Sequence, residues 1–162
     1  MSRGTAPPHV SQPGVAERSK LTLKAGDFEG ATGVYTQRVT STGQTYDALV
    51  NLPILSASSH INVYVLWSTD STTTSNTATW RLRYAAVTPE TDATTATVAV
   101  LTTAIAADAA SATANTLQRT AAGVIDAGNV LEGDMLKLRL DIASVVGFAL
   151  ATDVVNLHSV EL

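Results

Sequence analysis

The chain is predicted to be all-β, an antiparallel β-sandwich of about eight strands with a jelly-roll-like arrangement, preceded by an extended N-terminal arm. Three observations predict this. Residues 61–87 are two strongly β-forming runs joined by a polar loop, and they hold both tryptophans of the chain. In the second run Trp80, Leu82 and Tyr84 alternate with Thr79, Arg81 and Arg83, a period of two that sends large rings to one face and guanidinium groups to the other. Further on, Leu136, Leu138, Leu140 and Ile142 alternate with Lys137, Arg139 and Asp141, the pattern of a half-buried strand.

The elements follow in order. Residues 1–19 contain Pro7, Pro8 and Pro13 and almost nothing large, so they bury too little to offset ordering and form an arm rather than part of the body. The body is one domain, residues 20–162. Residues 20–24 alternate around Leu21 and Leu23, residues 33–40 carry Val34 and Val39, and residues 46–52 end at Pro53, which cannot continue a central ladder. The two central runs come next, then residues 96–102. Residues 104–114 are alanine-rich, which favours helix. Thr, Ser and Asn interrupt them and no apolar stripe emerges, so they are expected to form a loop or short strand, with a helical turn as the alternative. Residues 116–120 and 123–125 are short strand candidates, and Glu132-Gly133-Asp134 is a turn leading into residues 135–142. Residues 154–162 form the closing strand, expected to be paired inside a sheet. Trp80 is expected in the core.

Charge divides where composition does. Through Lys24 the chain carries Arg3, Arg18, Lys20 and Lys24 against Glu17, a net +3; the remaining six Lys/Arg stand against thirteen Asp/Glu, a net −7. A basic arm on an acidic body suggests a tether that orders on an acidic partner surface, with Arg3, Pro7, Pro8, Arg18 and Lys20 as its candidate contacts. A flexible tail, or an arm folded over its own body, is the plainer alternative. Charged residues are 15% of the chain, against roughly a quarter in typical domains, and Thr and Ser fill the gap. The absence of cysteine makes the fold indifferent to redox compartment. No apolar stretch is long enough for a membrane helix, and residues 1–8 lack the apolar run of a signal peptide. The expectation is neither membrane insertion nor export by the usual signal.

Sites of chemistry are hard to find. His9, His60 and His158 have no metal-ligand spacing, and the carboxylates Asp27, Asp70, Asp92, Asp126, Asp134 and Asp153 fall in turns, where an Asx side chain satisfies local backbone. There is no Gly-x-Ser-x-Gly elbow, phosphate loop or cysteine nucleophile, and a Ser-His pair has no local support. A carboxylate pair that meets only in space stays open. An acidic body with few, balanced cations argues against nucleic-acid binding. Arg81 and Arg83 are expected to decorate a solvated or an intersubunit strand face. The expectation is no catalytic residue, no cofactor and no metal.

One stretch carries a resemblance. Val65-Leu66-Trp67-Ser68-Thr69-Asp70, followed through a hydroxyl-rich loop by Trp80-Arg81-Leu82-Arg83-Tyr84, then Leu131-Glu132-Gly133-Asp134-Met135-Leu136-Lys137-Leu138-Arg139-Leu140 and the closing residues 153–162, is similar to a group of small structural proteins of tailed bacteriophages. The likeness covers most of residues 45–162. It implies a virion β-sandwich, either a head decoration (cement) protein that sits as a homotrimer on the major capsid protein at the outer capsid surface, assembled in the host cytoplasm, or a fibre or appendage module that binds a receptor or glycan. A carbohydrate-active enzyme on the same fold is a third alternative. The resemblance carries no catalytic residues, and the acidic body and the lack of a long apolar stretch leave no nucleic-acid or membrane partner expected. Residues 142–151 depart from the pattern, being more apolar than an exposed loop requires.

Overall fold

The computed structural model describes residues 22–24, 27, 36–51, 60–87, 99–100, 105–126 and 134–162. Eleven strands run through these residues, β1 Thr22–Lys24, β2 Gln37–Val39, β3 Thr45–Asn51, β4 Ile61–Thr69, β5 Thr77–Val87, β6 Ala99–Val100, β7 Asp108–Ala109, β8 Gln118–Arg119, β9 Gly123–Ile125, β10 Met135–Val146 and β11 Val155–Glu161. They build two antiparallel sheets. Sheet A has the order β1-β11-β4-β8, with β2 also on β11 and β9 also on β4; sheet B has the order β3-β10-β5-β6, with β7 also on β5.

The eleven strands occupy eight positions, because β1 and β2 share one side of β11, β8 and β9 share one side of β4, and β6 and β7 share one side of β5. The expected strand number describes these positions. Numbered along the chain, the first position pairs with the eighth, the eighth with the third and the third with the sixth; in the other sheet the second pairs with the seventh, the seventh with the fourth and the fourth with the fifth.

Alternation drives the packing. In β10, Leu136, Leu138, Leu140 and Ile142 are fully buried and sit in register beside Trp80, Leu82 and Tyr84 of β5 and Tyr46, Ala48 and Val50 of β3. From sheet A, Val63, Val65, Trp67, Val155, Leu157 and Val160 join the same hydrophobic cluster, so the two inner faces make one core. Trp67 and Trp80 face each other across it with ring centroids 6.4 Å apart. The Trp67 indole N–H donates to Asp108 Oδ2 at 2.7 Å, giving a polar edge to an otherwise apolar ring.

Two of the core strands, β10 and β11, carry a one-residue irregularity. Register slips by one between Ile142 and Ser144 on β10, and between Leu157 and Ser159 on β11, as β-bulges do. Beyond the first bulge β10 continues to Val146, four residues past the expected end. Gly147 then turns the chain at φ +77°, where an L side chain is strained and where a Cβ would run into Asn76 Oδ1. The turn returns Phe148 and Leu150 to the core, Phe148 packing edge-on against Trp67 at 6.2 Å. That explains the apolar character of residues 142–151: this segment is part strand and part core plug.

Other expectations shift at their ends. The strand expected at 33–40 is described only as β2, the one at 20–24 only as β1, and the one at 96–102 only as β6, the remaining residues of each lying outside the described set except Thr36 and Thr40, which are not strand. Of residues 104–114, those described hold the short strand β7 and no helix. Trp80 is 0% exposed, so its truncation to Ala leaves a large hole between the sheets. The expected outcome of Trp80→Ala is a loss of about 3–5 kcal/mol, measured as a lowered denaturant midpoint with an unchanged slope.

Candidate interaction surface

The inner face of sheet B is apolar, and its outer face collects charge. Across that face the register sets Asp47, Arg139 and Arg83 in one row and Thr45, Asp141 and Arg81 in the next. Arg81 and Arg83 both bind Asp141: Arg81 donates from Nε to Oδ1 at 3.0 Å and from Nη2 to Oδ2, and Arg83 donates from Nη2 to the same Oδ2 at 3.2 Å. Arg139 forms a two-pronged pair with Asp47, both bonds 2.7 Å. Lys137 follows in the row beyond, between Leu49 and Ala85.

The two carboxylates differ in kind. The Asp141 side chain is 1% exposed, closed over by guanidinium groups that are themselves 33% and 22% exposed. Burying a lone carboxylate is costly, and two charge-assisted partners offset that cost. Asp47 is 25% exposed beside a more open Arg139, a pair that water weakens. Hydrogen bonding to Asp141 raises the pKa of Arg81 further above its ordinary value, and hydrogen bonding to Asp47 does the same for Arg139.

Apolar groups flank the charges. Leu49 is 53% and Val146 63% exposed, and these two of the three large hydrophobics exposed among the described residues lie on this face. Four of the six Lys/Arg beyond residue 24 lie there too. Arginine is a residue type enriched at protein interfaces, and here it stands beside exposed apolar side chains.

The opposite outer face, on sheet A, brings together residues with no sequence signature. Ser68 Oγ and His158 Nε2 are 2.8 Å apart although 90 residues separate them; the β4–β11 register and the bulge at His158 place them side by side. Burial lowers the His158 pKa. Arg119 pairs with Glu161 at 3.0 Å and its guanidinium lies 3.4 Å above the Tyr64 ring, a cation–π contact. Ser68 is buried, and no third catalytic group on His158 is described, so the pair reads as a satisfied hydrogen bond.

At one end of the sandwich, loops 40–44, 70–76, 110–117 and 147–154 meet, tied by backbone bonds from Gly43 to Ile142, Asp70 to Val154, Ala110 to Asn76 and Asn115 to Thr69. Asp70 accepts from the Val154 N–H at 3.1 Å and Asp153 from the Ala149 N–H at 2.7 Å. Both serve backbone as turn aspartates are expected to, Asp70 across two loops rather than within one.

Of the residues singled out in the sequence, Arg81 and Arg83 stand together on this charged face. The arm residues Arg3, Pro7, Pro8, Arg18 and Lys20 lie outside the described residues. His60 is exposed beside β4, far in sequence from His158. Among the described residues no three His, Cys, Asp or Glu side chains converge as a metal site. Sequence reasoning missed Asp141 and Asp47 as counter-ions. Alternation assigns Asp141 to the face opposite the leucines, but only the β5–β10–β3 order reveals which cations it meets. No protein-family model, curated protein or solved structure matches the chain. The fold is established as an all-β sandwich of two antiparallel sheets.

Two expectations follow from these side chains. Asp141→Asn removes the counter-charge of two half-enclosed guanidinium groups and is expected to cost about 2–3 kcal/mol, less than a fully buried pair because the arginines keep some water; Asp47→Asn is expected to cost less than about 1 kcal/mol. Urea denaturation of the two variants side by side checks the contrast. For His158 the folded pKa lies below the unfolded value, so the unfolded chain takes up protons first as the pH falls below about 6.5. Stability is therefore expected to decline with acidification from that pH until the folded pKa is passed, and His158→Gln is expected to remove that component of a pH-dependent melting series.

Proposed function

We propose that the protein is a structural virion protein without enzymatic activity, a capsid decoration or cement protein that binds the outer surface of the major capsid protein lattice as a homotrimer and stabilises the head. The observation that carries this reading is the outer face of sheet B, where Arg81, Arg83, Lys137 and Arg139 sit with exposed Leu49 and Val146 on a rigid, otherwise acidic body. The resemblance of most of residues 45–162 to phage structural proteins supports it. So does the pairing order of the eight strand positions, which favours a jelly roll, the double Greek-key sandwich of many capsid proteins.

A clamp of this kind needs many modest contacts rather than one deep pocket, because linked copies engage neighbouring lattice sites at high effective concentration. The arm and the first residues of the body, net +3 through Lys24, supply a second point of attachment to an acidic surface. Arg3, Pro7, Pro8, Arg18 and Lys20 are the proposed contacts.

The loop end supports a second reading, a receptor- or glycan-binding module of a phage fibre. Thr72, Thr73, Thr74 and Ser75 are exposed there, a run of hydroxyls suited to sugar hydrogen bonding but with no exposed ring among the described residues for a sugar to stack on. Deleting residues 1–19 separates the two. A decoration protein is expected to keep its mass in light scattering and lose most of its binding to undecorated capsids, whereas full capsid binding by the truncated chain removes the arm from the mechanism. Binding of the isolated protein to host cells, with no affinity for capsids, favours the fibre reading.

A further inference from the structure

The described charges are sorted by surface. The outer face of sheet B holds Arg81, Arg83, Lys137 and Arg139 against Asp47 and Asp141, a formal +2. The loop end holds Asp70 and Asp153, a formal −2, with Arg38 of the adjoining β2 reaching Thr152 O from Nη2 at 3.4 Å. Exposed apolar side chains are divided between the same two places, with Leu49 and Val146 on the face and Leu117, 55% exposed, in loop 110–117.

We propose that the loop end of one copy docks on the outer face of sheet B of the next, a head-to-tail contact between copies of this chain. The inference rests on the homotrimer reading and gives it a mechanism. Arg83 is the anchor: of the five N–H groups a guanidinium carries, it spends one on Asp141 at 3.2 Å, and Arg139 stands directly across from it in the register. Asp70 and Asp153 each commit one carboxylate oxygen to a backbone N–H, so the second oxygen of either suits that pair of guanidiniums.

Self-pairing of the charged face is disfavoured, because it brings together two surfaces that each carry a formal +2. Face against end is a heterologous contact, which closes into a ring when its rotation divides the full turn. The contact pairs opposite charges that are open to solvent, so it is expected to be salt-sensitive.

The test is sedimentation equilibrium of the full chain in about 50 mM and about 500 mM salt, with Arg83→Gln and with the double variant Asp70→Asn, Asp153→Asn, which keeps an acceptor oxygen for each backbone N–H. Self-association is expected in low salt, with a constant about tenfold weaker in high salt and about tenfold weaker in each variant. A monomer at every concentration in low salt overturns the proposal, and so does an oligomer whose association the aspartate variant leaves unchanged. The two variants lie on separate surfaces, so a folding defect in one leaves the other to decide. No capsid enters the measurement, so failure of this contact and failure of lattice binding are seen separately.

Discussion

The register of β10 between β3 and β5 governs the rest of the molecule. Because a strand alternates its faces every residue, a slip of one position would carry Leu136, Leu138, Leu140 and Ile142 to the outside and drive Lys137, Arg139 and Asp141 into the core. Both neighbours oppose such a slip, β3 with Tyr46, Ala48 and Val50 and β5 with Trp80, Leu82 and Tyr84 on the inner side. The same alignment places Asp141 under two arginines and Asp47 against a third. Core packing and surface charge are thus two outcomes of a single alignment.

The charged ladder need not add much net stability. Drawing a carboxylate out of water costs several kcal/mol, and good geometry with two cations returns roughly what was lost. What it does provide is support for this alignment, since the observed register sets Asp141 within reach of both Arg81 and Arg83 while the leucines stay inside. It also holds the guanidinium groups of Arg81 and Arg139 in fixed planes through paired bonds, lowering the entropy a binding partner would otherwise have to remove.

Much of this architecture was legible in the residues, and the reasons are specific. Period-two alternation in 79–84 and 135–142 locates two central strands because each has one wet and one dry face, and Trp80 falls on the dry one. The bulge after Ile142 was not legible: alternation fails there, and an apolar run that turns back into the core looks the same in sequence as one that does not belong. Nor was the pairing order, which alone brings Ser68 to His158 and Asp141 to Arg81 and Arg83. Short strands such as β7 and β8, two residues each, owe their extended form to the long strand beside them and have no periodicity of their own.

The way sheet A is flanked has a practical consequence. Its two long members, β4 and β11, are each bordered by a pair of strands only two or three residues long, β8 and β9 on one side and β1 and β2 on the other. A rim broken into such short pieces is a poor template for a foreign strand to zip onto. That interruption is a built-in guard against fibrillar polymerisation at any concentration the chain reaches.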